Sequence, residues 1–146
     1  MRLYLEVQQL RFEKGFEYDI RVDQTIDKEN ISVPPMLAQP CVENSIEHGL
    51  LPGKENGRVS ISYSLSDGLL MLEVTDNGVG RDKASEMTTG MKKKSISTKL
   101  TEKRLEHFRK ILKEKQISYE IIDLYEGDEA AGTKVVMMLP FKKIYA

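Results

Sequence analysis

A single cysteine, Cys41, is all the thiol chemistry this chain has, so an intrachain disulfide is excluded and a reducing compartment fits. Excess charge of one sign is missing as well. Twenty-two basic against 23 acidic residues leave a formal net charge of −1, which gives no electrostatic case for nucleic acid or an anionic membrane surface. No apolar run reaches membrane-span length. The start, Met1 to Glu6, lacks the apolar core and cleavage site of a signal peptide and reads as the middle of a helix. The chain is therefore expected to continue a longer protein. No Cys/His spacing suits zinc, and neither a P-loop nor a G-x-S-x-G elbow occurs. What remains is an ordinary globular composition, 40% hydrophobic and 31% charged over 146 residues, enough for one domain with one core.

Periodicity divides the chain. Leu3, Val7 and Leu10 fall at i, i+4 and i+7, an amphipathic helix over 3–14 that Gly15 stops. Phe16, Tyr18, Ile20 and Val22 alternate as a half-buried strand, and 23–33 reads as a loop. Pro34-Pro35 opens a helix reaching Glu47. Pro40 either bends it or marks where its regular part begins. Gly49 is its expected C-cap and Pro52-Gly53 the exit. Val59 to Leu65 and Leu70 to Val74 alternate around Ser66-Asp67-Gly68, a hairpin signal. Residues 81–97 are polar and aperiodic, a length of loop that is usually functional or mobile. Leu105, Phe108, Ile111 and Leu112 mark a charged helix over about 98–115, with Ser95, Ser97 and Thr98 as N-cap candidates. Ile117–Tyr125 reads as a strand, Glu126–Gly132 as a turn, and Thr133–Leu139 as a strand ending at Pro140. The expected class is α+β, a two-layer α/β sandwich whose mixed, mostly antiparallel sheet carries its helices on one face.

Three segments hold residues whose placement asks for chemistry. Asp76 is in phase with Leu70, Leu72 and Val74, so strand period aims it at the apolar layer, where a carboxylate needs a donor. An adenine amino group would supply one; a plain Asp-Asn-Gly turn is the other reading. Gly78 and Gly80 remove side chains where a ligand or backbone comes close. Asn44 and His48 lie at i, i+4 and extend the stripe of Leu37 and Cys41. A Mg-nucleotide would satisfy them, with the Asn44 oxygen on the metal; equally, His48 is favoured as a plain histidine at a helix C-terminus. The helix after residue 97 would offer N–H groups to phosphates, with Lys92-Lys93-Lys94 just before it. Cys41 reads as a small buried residue, not a nucleophile.

Together these residues resemble the ATP-binding catalytic domain of sensor histidine kinases, of the GHKL superfamily shared with gyrase and the mismatch-repair ATPases, and within it the LytS-like subfamily. The resemblance rests on Tyr4-Leu5-Glu6, Leu10-Arg11-Phe12, Pro34 through Gly49, Asp76-Asn77-Gly78-Val79-Gly80, Arg104-Leu105, Gly132-Thr133 and Leu139-Pro140. It implies ATP and Mg²⁺ as cofactors, Asn44 as the metal ligand, and Glu43 with Asn44 as the catalytic pair. It implies Asp76 as the adenine reader, Gly78 and Gly80 as pocket walls, and Gly132 and Thr133 at the adenine end. Residues 82–97 resemble an ATP lid, and 1–15 the tail of a dimerisation and phosphotransfer helix ahead of a catalytic domain over 16–146. The implied partners are that upstream domain, a response regulator and a second copy in the full-length protein, with no nucleic acid and no direct membrane contact. The implied location is cytoplasmic, as a domain of an inner-membrane protein. Glu47, His48 and Ser97 occupy nucleotide-contacting positions, but lysine is common where Glu47 stands and glycine where Ser97 stands. The acceptor histidine of such kinases lies upstream, and neither His48 nor His107 has its Pro-His-Phe context. Two rival expectations are a stand-alone anti-sigma-factor serine kinase, against which Pro40 stands where a glutamate is needed, and a degenerate, non-catalytic nucleotide-binding scaffold.

Overall fold

Among the described residues seven strands form: β1 (Glu17–Val22), β2 (Ile31–Ser32), β3 (Arg58–Ser66), β4 (Leu69–Asp76), β5 (Ser118–Glu126), β6 (Glu129–Leu139) and β7 (Lys142–Lys143). The helices with both ends described are α1 (Arg2–Arg11), α2 (Ala38–Asn44), which runs on into a π-helical stretch, Ser45–Leu50, and α3 (Ile96–Leu112). The computed structural model describes residues 1–12, 15–33, 37–50, 55–83, 96–113 and 116–143, with the backbone alone at 96–98.

Five strands make one sheet in the order β1-β3-β4-β6-β5. β1 runs parallel to β3, and the other neighbours are antiparallel. Alternation along the strands sends Val59, Ile61, Leu70, Leu72, Val74, Val135, Met137 and Leu139 to one face. There they meet Leu5, Leu37, Cys41, Val42, Ile46 and Leu105 from the helices in a single core cluster. Each such side chain contributes about 1.5–3 kcal/mol by leaving water. The opposite face keeps polar pairs, such as Lys134 to Glu73 at 2.6 Å. The architecture is the expected α+β sandwich with a mixed sheet.

Local chemistry sets the turns. The β3–β4 hairpin closes over Asp67 (φ 51) and Gly68 (φ 76), both left-handed, as a two-residue primed turn requires. Pro40 is the third residue of α2, in the first turn, where its missing N–H has no helical partner to lose.

Several expectations need correction. The Leu3–Val7–Leu10 stripe of α1 faces away from the core, with Leu3 73% and Leu10 88% exposed; α1 buries Leu5 and Gln8 instead. The stripe marks which side of the helix is apolar without saying what covers it. Among the described side chains of α3 the buried ones are Thr101 and Leu105, while Ile111 and Leu112 are exposed. Ser97 and Thr98 lie inside α3 rather than capping it, and Ser95 lies outside the described residues. The Glu126–Gly132 turn shrinks to Gly127-Asp128, because β6 starts at Glu129 and absorbs the extra length in a bulge at Leu124/Tyr125. The ribbon of β2 with β7 was not anticipated; two-residue strands carry too little alternation to be read. Pro34-Pro35 and Pro52-Gly53 fall outside the described residues.

Candidate functional site

At one end of the sheet a single rung runs Val59–Asp76–Thr133–Asp123 across β3, β4, β6 and β5. Asp76 continues the inward series of Leu70, Leu72 and Val74 and is 3% exposed. Its Oδ1 accepts the Gly78 N–H at 2.9 Å. Glycine backbone comes close to this residue on several sides. A Cβ on Gly49 would stand 2.9 Å from Asp76 Oδ1, and one on Gly78 would stand 2.3 Å from the Gly49 carbonyl. A Cβ on Gly132 (φ +126) would overlap the Asp76 carbonyl at 2.0 Å. The Val79 N–H donates to the Gly49 carbonyl at 3.1 Å, locking the glycine turn to the helical stretch.

Gly49 is thus no C-cap. It sits inside the π-helical turn, where its lack of a side chain lets the chain close on Asp76. The widened, i+5-bonded turn has a second effect. Leu37 and Cys41 are buried and Asn44 is half-buried, as the stripe requires, but His48 is exposed because the change of helical pitch breaks the i, i+4 relation. Glu47 is exposed as well.

Glu43 and Asn44 are the last residues of α2, on the element that packs against β4 and α3. The Gln39 amide donates to Glu43 Oε1 at 3.1 Å. Tyr4 of α1 approaches the same carboxylate. Burial first, then the charges of Glu43 and Glu47, push its phenol up to about 12. The Cys41 thiol is pushed up to about 12 by burial and donates weakly to the Leu37 carbonyl. It is inert at neutral pH, as expected of a packing residue.

The structure therefore puts Asp76 and Thr133 on one rung, with Gly132 on the next and Gly78 and Gly80 in the turn beside it, and packs the α2 element against β4. Ser97 lies in the first turn of α3, and its side chain is not among those described. Lys92–Lys94, and the lid segment apart from its ends, lie outside the described residues. Sequence reading missed the Gly49 contact and the work of Asn77. The Asn77 Oδ1 accepts the Arg58 N–H at 2.7 Å and its Nδ2 donates to the Asn56 carbonyl at 3.0 Å, stapling β4's exit to β3's entry. Only its place in Asp-Asn-Gly could have pointed there. Among the described residues no group of three or more His, Cys, Asp or Glu could hold a metal. A metal here would need an amide oxygen such as Asn44's, completed by phosphate oxygens, a donor set that suits Mg²⁺. No helix of the described residues is long and apolar enough to cross a membrane.

No family model matches the chain. It is 36% identical to the sensor protein LytS of Oceanobacillus iheyensis over 80 residues, 55% of this chain and 13% of that protein. It is 35% identical to the sensor histidine kinase BtsS of Escherichia coli over 74 residues, 51% of this chain and 13% of that one. The sensor protein LytS of Enterococcus faecalis aligns over 143 residues at 29% identity, 98% of this chain and 24% of that protein. The homologues of this chain are LytS-like sensor histidine kinases. The chain spans a quarter or less of the length of the LytS-like proteins it matches. The fold agrees: the mycobacterial sensor histidine kinase MprB superposes with a TM-score of 0.64 over 98% of this chain and 93% of that one, at 14% identity. None of these relatives is an anti-sigma-factor kinase, and that alternative has no support among them.

Proposed function

We propose that the chain binds Mg-ATP at the Asp76 end of its sheet. In the parent protein it would pass the γ-phosphate to a histidine of an upstream dimerisation and phosphotransfer domain, and thence to a response regulator. The observation that carries this reading is a 3%-exposed carboxylate with Gly49 against it and the Gly78 N–H on it, while Gly132 lies against the same residue's backbone carbonyl. A buried acceptor beside glycine backbone is shaped for a flat donor such as the adenine amino edge. Residues 1–15 are then the end of the phosphotransfer helix and 16–146 the catalytic domain, working as a dimer on the cytoplasmic side of the inner membrane.

The roles follow from position. Asp76 accepts from the base, Gly78 and Gly80 shape the turn above it, and Gly132 and Thr133 form the floor. Asn44 offers the amide oxygen for Mg²⁺. Glu43, half-buried and held by Gln39, takes the proton released when an imidazole nitrogen attacks the γ-phosphorus and the bond to the ADP oxygen breaks. Bound Mg²⁺ would neutralise charge on the transferring phosphate. His48, Glu47 and Ser97 are assigned to the nucleotide's periphery. His107 is exposed on α3, and on this reading neither His48 nor His107 is the acceptor.

Asp76→Asn tests the reading. It replaces an acceptor oxygen with a donor facing the base, a loss of about 1.5–3 kcal/mol, or roughly ten- to a hundredfold in affinity. Calorimetry with Mg-ATP reads it directly. Equal affinity in variant and parent would sink the assignment.

A further inference from the structure

The glycine turn is fastened at both feet. Arg81, directly after Gly80, donates from Nε to Asp123 Oδ1 and from Nη2 to Asp123 Oδ2, each at 2.6 Å. Two parallel bonds between planar groups give a fixed fork. Asp123 stands opposite Thr133, and Thr133 opposite Asp76. The chain thus leaves the rung at Asp76, runs through Asn77, Gly78, Val79 and Gly80, and is tied back to the same rung two strands away. The arch so closed crosses the start of β6. Gly132 lies against the Asp76 carbonyl and Asn77, and a Cβ on Gly80 (φ +82) would meet the Ala130 methyl at 2.9 Å. Between its feet the arch has two further fixed points, the Gly78 N–H on Asp76 and the Val79 N–H on the Gly49 carbonyl.

The Arg81 and Asp123 side chains are 51% and 35% exposed. An ion pair so placed adds little to global stability. Its geometric precision is instead spent on where the arch sits. The Arg81 guanidinium also holds the Asp123 carboxyl below its usual range, so the fork stays charged throughout the physiological pH interval.

We propose that Arg81 and Asp123 form a positioning pair for nucleotide binding, holding the far foot of the glycine arch so that Gly78 and Gly80 keep their place above Asp76. The inference rests on the nucleotide site proposed above. Neither residue need touch the ligand; both act through the arch.

The test is a double-mutant cycle on the whole 146-residue chain. Mg-ADP is titrated calorimetrically into the parent, Arg81→Ala, Asp123→Ala and the double variant, and each is melted. The expected result is a roughly five- to tenfold loss in each single variant, no further loss in the double, and melting temperatures close to the parent's. Should an alanine variant fail to fold, Arg81→Lys and Asp123→Asn complete the same cycle. Three results would overturn the pair: losses that add in the double variant, unchanged affinity in either single, or losses that track a fall in melting temperature. In particular, full affinity in Asp123→Ala with a loss in Arg81→Ala would make Arg81 a direct phosphate ligand instead. Failure of the parent to bind Mg-ADP would overturn the nucleotide site itself, and this role with it.

Discussion

The two ends of the central strands are buried alike and built differently. At one end Leu70 pairs with Leu139, 3% and 2% exposed, and the space is filled by side chains. Six residues along the same strand, Asp76 is also 3% exposed, yet glycines lie close against it: Gly49 and Gly78 at its carboxylate and Gly132 at its backbone carbonyl. Depth of burial therefore does not separate the proposed nucleotide site from the apolar core. What separates them is whether close contact is made by side chains that fit each other or by glycines that stand aside.

The sharpest way to break that contrast is Gly132→Ala. The new methyl meets the Asp76 carbonyl at 2.0 Å on a backbone with φ +126. Strain and displacement together should remove upwards of about 3 kcal/mol and abolish nucleotide binding. An unchanged urea midpoint would show that the glycine end is less tightly packed than its geometry demands. Next comes Leu72→Ala in the apolar stretch, 1% exposed in the parent. It should cost about 2–5 kcal/mol in unfolding while the folded protein keeps its Mg-ATP affinity. Weakened affinity at full folding would mean that core packing and site shape are one system. The smallest effect is expected at Leu10, 88% exposed on α1. Leu10→Ser should stay within about 0.5 kcal/mol in dilute denaturant titration. A loss of about 2 kcal/mol there would instead place the α1 stripe in a packed interface.

Much of this was legible in the sequence because its signals are periodic. Alternation gave β3, β4 and β6 and the inward phase of Asp76, and Asp67-Gly68 marked its hairpin. The α2 stripe held through Leu37, Cys41 and Asn44. It failed at His48 because a π-helical turn is invisible to a rule built on 3.6 residues per turn. Gly49 was misread for a related reason: a glycine after a helix signals a cap locally, whereas here it serves a carboxylate 27 positions away in sequence, Asp76. The Arg81–Asp123 fork joins residues 42 apart and leaves no local pattern at all. The outward face of α1 was lost because apolar spacing reports a stripe and not its neighbour.

The parallel pairing of β1 with β3 has a consequence for the order in which the chain assembles. Asp19 accepts a hydrogen bond from Ser60, 41 residues later, whereas β3–β4 and β5–β6 close over two-residue turns. During synthesis α1 and β1 emerge before the strands they join, and the Gln9 side chain can fasten α1 to the Phe16 carbonyl at once. Yet β1 has no sheet to join until Arg58–Tyr63 has followed it out. Closing so long a loop precedes any gain from the pairing. The earlier-made segment therefore docks late, onto hairpins that its own downstream chain supplies.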